Sequence, residues 1–367
     1  MTENMDSDHV HPLKLFELAK SQKRFLFTSA PMVRYSKLAF RQTVHEYGTD
    51  LCWTPMILAK EFNRNGFARD SDFTISTKGP QPPTIVQFGA NVPLELARAS
   101  TLVAPYASGV DLNCGCPQSW ACAETLGAAL MEKRELVRSM VIETRAALSA
   151  AGYSVAKEAS ISSPLGRSIS VKIRVHKDLR KTMDFITTVL GPAQDRDIDF
   201  LTIHPRTRHT PSSTPIDVEA LEILTSTFGD QVPILVSGDV FTLNSLPYTS
   251  DLLPSEKPDL PALLKLAGLM SARAILANPA LYAGYEACPW EAVDTFLNNA
   301  VRCPLPFKLV LHHVSEMCAP GLGPNKKVLL SRKERGELMG CGNMLELIDF
   351  LDGKRGEWGV RRDGKGR

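Results

Sequence analysis

Residues 109–118 hold the chemistry that is easiest to read in this chain. Gly109-Val110-Asp111-Leu112 has the look of an apolar strand, and Asn113-Cys114-Gly115-Cys116-Pro117-Gln118 follows at its end. That run puts a side-chain amide, two thiols and a proline-fixed turn where a strand breaks into a loop. A thiol on such an edge is placed to give or take a proton in a pocket. The bland alternative for Cys116 is a small buried hydrophobe, the usual fate of a free cysteine. A zinc site built from Cys114, Cys116 and Cys122 is disfavoured, because Cys-x-Cys lacks the usual ligand gap and no Cys/His pair lies near in sequence.

Other donor-bearing side chains close apolar runs in the same manner. Lys172 and Arg174 lie two apart in Val-Lys-Ile-Arg and so share one strand face. Two cations aimed into one cavity are costly without an anion, so a phosphate or a reduced, anionic ring is the expected partner. His204-Pro205-Arg206-Thr207-Arg208 ends another run, and with two arginines beside it His204 points to anion binding. Gln87 follows Ile85-Val86, where a cap and a ligand contact are equal readings. Ser237-Gly238-Asp239 is a turn whose glycine would let backbone approach a ligand. Ala30-Pro31-Met32-Val33-Arg34 and Met270-Ser271-Ala272-Arg273 complete the set.

The elements that position these groups follow from hydrophobic periodicity. Short β-branched runs at 25–30, 50–54, 84–88, 109–113, 169–174, 200–204, 234–237 and 273–277 read as strands. Between them, 36–47, 93–105, 126–150, 178–190, 217–228 and 260–269 carry apolar residues at helical spacing. Strand alternating with helix predicts a parallel sheet covered on both faces. Eight such units over roughly 250 residues match an α/β fold of the (β/α)8 TIM-barrel type, in which chemistry collects at the strand C-termini. No G-x-G-x-x-G follows a strand, which argues against an open dinucleotide-binding sheet. Polar insertions at 154–167 and 247–258 read as surface loops.

The expected organisation is an N-terminal extension over 1–24, a catalytic barrel over 25–288, and a small helical extension with a basic tail over 289–367. Helical periodicity there covers 290–302, 307–317 and 344–351. The tail ends in Arg361-Arg362-Asp363-Gly364-Lys365-Gly366-Arg367, either solvated chain or a set of phosphate contacts.

The 367 residues carry 42 Lys/Arg against 40 Asp/Glu, a net charge of +2, so any nucleic-acid contact must come from a local patch. Eight scattered cysteines and a polar N-terminus without a targeting pattern predict a reducing compartment, the cytoplasm or else the nucleus. No apolar stretch approaches the length of a membrane span, and a monomer is expected.

Taken together, Ala-Pro-Met, Val-Gln-Phe, Asp-Leu-Asn-x-Gly-Cys-Pro, Lys-Ile-Arg, Ile-His-x-Arg-Thr-Arg, Ser-Gly-Asp and Ala-Arg occur in the order shown by the tRNA-dihydrouridine synthases. The resemblance covers about residues 25 to 285. Ala-Pro-Met-Val-Arg-Tyr-Ser-Lys-Leu and Gly-Cys-Pro-Gln are most similar to the eukaryotic branch acting on D-loop positions 20a and 20b. The resemblance implies FMN across the barrel mouth, bordered by Pro31, Met32, Val33 and Gln87, with Lys172 and His204 at the ring. It implies a phosphate on Ser237, Gly238, Asp239, Ala272 and Arg273. Cys116 would be the general acid, Asn113 would help hold the uracil, and NADPH or NADH would be the reductant. Arg174 and Arg206 would offer charge to the substrate, and Arg206, Arg208, Lys37, Arg41 and the tail would contact tRNA. No metal is implied.

The chain departs from the family pattern at Pro205, where a Gly is common, at Ser237, where Asn is frequent, and at Ser271-Ala272-Arg273-Ala274, where a Gly often flanks the Arg. Two other readings fit the same residues. One is an FMN barrel acting on a free pyrimidine, and the other is an RNA-binding barrel that has lost its chemistry.

Overall fold

The computed structural model describes residues 10–75, 81–155, 161–192, 195–249 and 259–363, with side chains described through residue 356. The basic run at 361–367 and parts of both polar insertions lie outside the described side chains.

Among the described residues, nine parallel strands form one sheet: β1 (Leu26–Ser29), β2 (Leu51–Trp53), β3 (Ile57–Leu58), β4 (Thr84–Gly89), β5 (Gly109–Cys114), β6 (Ser168–Arg174), β7 (Phe200–His204), β8 (Ile234–Ser237) and β9 (Gly268–Ser271). The order runs β2-β1-β9-β8-β7-β6-β5-β4, and a β2–β4 pairing closes the ring into an eight-stranded barrel. β3 lies outside that ring and pairs only with the far end of β4, through Ile57↔Phe88 and Leu58↔Gly89. The fold is the (β/α)8 barrel expected from the alternating pattern.

The last strand is not where periodicity placed it. Residues 273–277 form a short helix, and the closing strand is Gly268–Ser271 instead. The reason is contact on both sides. β9 must pair with β1 and β8 at once, and a Cβ on residue 268 would meet Leu26 O and Leu235 Cδ2, each at 2.6 Å. A glycine that looked like a helix end is therefore the residue that lets the ring close. Ala and Leu, good helix formers, dominate 273–277.

Alternation along the strands divides the barrel interior into two layers. Leu26, Leu51, Trp53, Ile85, Phe200, Leu235 and Met270 form an apolar lower layer. Gln87, Asp111, Asn113, Ser170, Lys172, Thr202 and His204 lie further along the same inward faces, toward the strand C-termini.

The lower end is sealed by a helix within the expected N-terminal extension. His11 caps Pro12–Ser21 by accepting the Leu13 N–H on its Nδ1 at 3.2 Å, and burial lowers the His11 pKa to about 4. Leu13, Phe16 and Ala19 face the barrel, with the Phe16 ring 5.4 Å from that of Phe200. The polar first residues hid this three-residue spacing.

At the other end of the chain, helices Trp290–Arg302, Phe307–Met317, Arg332–Leu338 and Met344–Asp363 follow the barrel. The third was not expected, and a reciprocal Ser331–Glu334 capping box starts it. Phe296, Val314, Leu330, Leu338, Leu347 and Leu351 belong to the same buried cluster as the barrel's outer layer. Asn299 also ties this part to the barrel helix Leu38–Glu46, donating to Glu46 Oε1 at 3.0 Å. Among the described residues, no helix is long and apolar enough to cross a membrane.

Candidate active site

The Cys116 loop is built from the end of β5. Cys114 turns outward into the apolar layer, fully buried, and burial pushes its thiol well above the usual range. Asn113 turns inward, and its Oδ1 accepts the N–H groups of Gly115 at 3.0 Å and Cys116 at 2.8 Å. Those two bonds bend the chain so that Cys116 leaves the sheet. From behind, Gly127 presses on the loop with φ +58°. A Cβ there would meet Cys116 O at 2.5 Å and Cys116 Cβ at 2.8 Å, and the neighbouring Ala128 N–H donates to Cys116 O at 2.8 Å. Cys116 is half-buried, and burial raises its pKa, with the Gln118 N–H, Arg174 and Lys172 pulling the other way. At neutral pH the thiol keeps its proton.

Two cations neighbour that thiol. Lys172 is level with Asn113 on one side and Thr202 on the other. Among the described residues its ammonium makes no hydrogen bond or ion pair. Burial first, then Arg174, lowers its pKa to about 8, while Asp111 and Cys116 oppose the shift. Thr202 Oγ1 beside it is buried and has no partner among the described residues. Arg174 is more committed: its Nε donates to Gly115 O and its Nη1 to Thr207 O, both at 2.8 Å, so it ties the thiol loop to the loop after β7.

His204 is neutral. Burial, reinforced by Lys172, Arg174, Arg206 and Arg273, lowers its pKa to about 2. Arg206 Nη1 lies 3.0 Å from His204 Nε2, and a guanidinium only donates. Nε2 must therefore accept, which leaves the proton on Nδ1. Arg206 itself is held by Asp239 at 2.6 and 2.8 Å and by Thr214 O at 2.7 Å.

Opposite, the turns after β8 and β9 lie side by side, since Ser237 pairs with Met270. Ser271 Oγ links them, donating to Val240 O at 3.0 Å and accepting the Ile275 N–H at 3.2 Å. The N–H groups of Gly238, Asp239, Ala272 and Arg273 have no protein acceptor among the described residues. Pro31 and Met32 are half-buried and Val33 is exposed in the loop after β1, where Ser36 Oγ accepts the Met32 N–H at 2.9 Å.

The mouth of this barrel thus holds a protonated thiol, an unpaired ammonium, a neutral imidazole with a known tautomer and a row of free amides. The family model for dihydrouridine synthase (Dus) matches residues 28–329. The chain belongs to the dihydrouridine synthase family. The tRNA-dihydrouridine(20a/20b) synthase [NAD(P)+] of Schizosaccharomyces pombe is 39% identical over 83% of both chains. The human protein named tRNA-dihydrouridine(20a/20b) synthase [NAD(P)+]-like is 34% identical over 93% of both. The Saccharomyces cerevisiae tRNA-dihydrouridine(20a/20b) synthase [NAD(P)+] is 34% identical over 95% of this chain and 84% of its own.

Within this dihydrouridine synthase barrel, the expected residues Gln87, Asn113, Cys116, Lys172, Arg174 and His204 converge on one end, and the turns at 237–239 and 271–273 border it. Three expected surface contacts do not hold. Arg41 is fully buried and donates to Ser36 O at 2.8 Å and Thr74 O at 2.6 Å. Lys37 is buried too, with its ammonium on Ser71 O at 2.5 Å. Arg206 is 3% exposed and held by Asp239, Thr214 and His204, so its influence on the site passes through His204. Arg208 alone of that group is exposed.

Gly238 also has a role inside the wall. A Cβ there would strike Ile216 Cγ2 at 2.8 Å, so the glycine answers internal packing and its φ of +122°. Gly127 and Thr202 were missed; Thr202 could have been found by stepping back two residues from His204 on the same face.

Proposed function

We propose that this chain reduces the C5–C6 double bond of uridine at positions 20a and 20b of the tRNA D-loop, with FMN as resident cofactor and NADPH or NADH as reductant. One observation carries the reading: a protonated thiol stands beside an unpaired ammonium at the open end of a closed parallel barrel. The names of the relatives support the tRNA substrate, the position and the nicotinamide.

The residues present fit FMN. The free amides of Gly238, Asp239, Ala272 and Arg273 suit a phosphate, whose charge such N–H groups and Arg273 attract. Lys172, the Nδ1–H of His204 and the 31–33 loop suit a planar ring that gains negative charge on reduction, while Gln87, fully buried between Asp111 and Asn113, braces the wall behind it. FMN held there and reduced by the nicotinamide would supply the hydride chemistry needed at C6 of the uracil.

The chain's own part is the proton. As negative charge develops on the uracil, the Cys116 S–H donates to C5, and the S–H bond breaks as the C–H bond forms. Lys172 and Arg174 stabilise the thiolate left behind, which takes its proton back from water. Asn113 fixes the loop that aims the sulfur. The uridine must leave its stack, at a cost of roughly a few kcal/mol that wider tRNA contact offsets. Arg208 and the basic tail are the candidates for that contact. The enzyme acts as a monomer in the cytoplasm or the nucleus, and the free cysteines among the described residues support a reducing compartment.

The test is reconstitution of the purified chain with FMN, NADPH and tRNA lacking the modification, followed by mass mapping. Dihydrouridine at 20a and 20b is expected. Turnover of free uracil with none in tRNA would overturn the proposal.

A further inference from the structure

We infer that Asp111 is a positioning residue for Cys116, acting at the base of a one-way hydrogen-bond relay that runs through Gln87 and Asn113. The inference rests on the role proposed for Cys116 and adds to it a residue that touches neither cofactor nor substrate.

The direction of the relay follows from hydrogen-bond logic. The N–H groups of Gly115 and Cys116 can only donate, so the Asn113 atom they share is its oxygen. The Asn113 nitrogen then donates to Gln87 Oε1 at 2.8 Å. That leaves the Gln87 nitrogen facing Asp111 Oδ2 at 2.7 Å. The group at 111 must accept, and Asp111 does so while also taking the Ser170 hydroxyl on Oδ1 at 2.7 Å. Every member is buried, and Asp111 and Gln87 have no exposed surface at all, so water cannot substitute for a lost link.

If the acceptor at 111 is removed, Gln87 has no reason to keep its oxygen toward Asn113. Either amide can then rotate, and the two bonds that bend residues 115 and 116 are released. The barrel register sets this geometry: Gln87 is level with Asp111, Asp111 with Ser170, and Asn113 with Lys172. The relay thus ties the thiol to the rigid wall instead of to its own loop.

The measurement is the alkylation rate of Cys116 by iodoacetamide in the flavin-free protein, followed by peptide mass, with Cys116→Ser as the blank. Asp111→Leu removes the acceptor and should raise that rate at least fivefold, because a released thiol is more exposed and closer to its ordinary pKa. Asp111→Asn keeps an acceptor oxygen for Gln87 and should stay within twofold of the parent. Gln87→Leu cuts the relay one link nearer and should match Asp111→Leu, which covers the case in which the latter fails to fold.

A folded Asp111→Leu or Gln87→Leu with the parent's rate would overturn the inference, and so would an Asp111→Asn as fast as Asp111→Leu. In the holoenzyme, Asp111→Leu should lower kcat on tRNA more than tenfold with KM within about twofold, and Asp111→Asn should restore most of it. The alkylation arm needs neither flavin nor tRNA, so it stands or falls apart from the proposed reaction.

Discussion

The two ends of the barrel are built from the same eight strands and solve opposite problems. At the lower end the inward side chains are mostly apolar, and the helix Pro12–Ser21 closes it with Leu13, Phe16 and Ala19. At the upper end the inward side chains are amide, carboxylate, ammonium and imidazole, and among the described residues the Lys172 ammonium, the Thr202 hydroxyl and the backbone amides beyond β8 and β9 have no partner. One end is finished by the chain itself, and the other is left for a ligand to finish. Stability and chemistry are therefore separable along the barrel axis, and substitutions at the two ends should fail in different ways.

The largest expected effect belongs to Cys116→Ala. Loss of a general acid costs about 10² to 10⁴ in rate, so kcat for dihydrouridine formation in tRNA should fall by about a thousandfold. The melting temperature should hardly move, because the thiol is half-buried and fills no core position. Single-turnover kinetics beside a thermal melt checks both halves, and full activity in the variant would show that the acid lies elsewhere.

Phe16→Ala is the mirror case at the closed end. Truncating a buried Phe costs about 3 kcal/mol or more, and here it unseats the sealing helix from Phe200. Denaturant midpoints should shift accordingly, while kcat on tRNA at low temperature should remain that of the parent. A loss of kcat without a loss of stability would break the division between the ends.

Lys172 sharpens the comparison, since it is a cost that the open end carries for function. Its folded pKa, about 8, lies below the unfolded 10.5, so the folded state binds fewer protons between those values and stability rises with pH across that window. Below about pH 8 the penalty is present in full, at most about 3 kcal/mol. Lys172→Met should thus be more stable than the parent by about 2 kcal/mol at pH 7, with the gain shrinking toward pH 10. Hydride transfer to the uracil should slow in the same variant. Equal stability at pH 7 would mean that the ammonium is already compensated without ligand.

How far these ends were legible in the sequence depends on what fixes each residue. Strand ends such as Asn113, Lys172 and His204 were readable because alternation and a break in hydrophobicity are local signals. β9 was misplaced because its identity rests on pairing with β1 and β8 at once, a contact between residues more than 200 positions apart in the chain. Arg41 and Lys37 were expected to contact tRNA, as the resemblance implies. Burial against Ser71 and Thr74 is a tertiary fact that no local pattern carries. The same holds for Arg206: its spacing from His204 marked it as functional, but not that Asp239, on the next strand's turn, would hold it. The C-terminal helices show the limit most plainly. They read as an appendage, yet Leu330, Leu338 and Leu347 are part of the main core, so a truncation after Gly321 would damage the barrel itself.

The smallest effect expected, and the one that tests the outer rim of the open end, is at Arg208. With Arg206 withdrawn into its pair with Asp239, Arg208 is the exposed cation nearest the end of β7, its Nε on His209 Nε2 at 2.9 Å. A single phosphate contact contributes modestly and is screened by salt, so Arg208→Gln should raise the KM for tRNA only a few-fold and leave kcat unchanged. Its signature is the salt dependence. The slope of log KM against log salt should become shallower by about one phosphate contact, while NADPH oxidation without tRNA stays the same. A KM and a slope identical to the parent's would move the tRNA path off this rim and toward the helical C-terminal part.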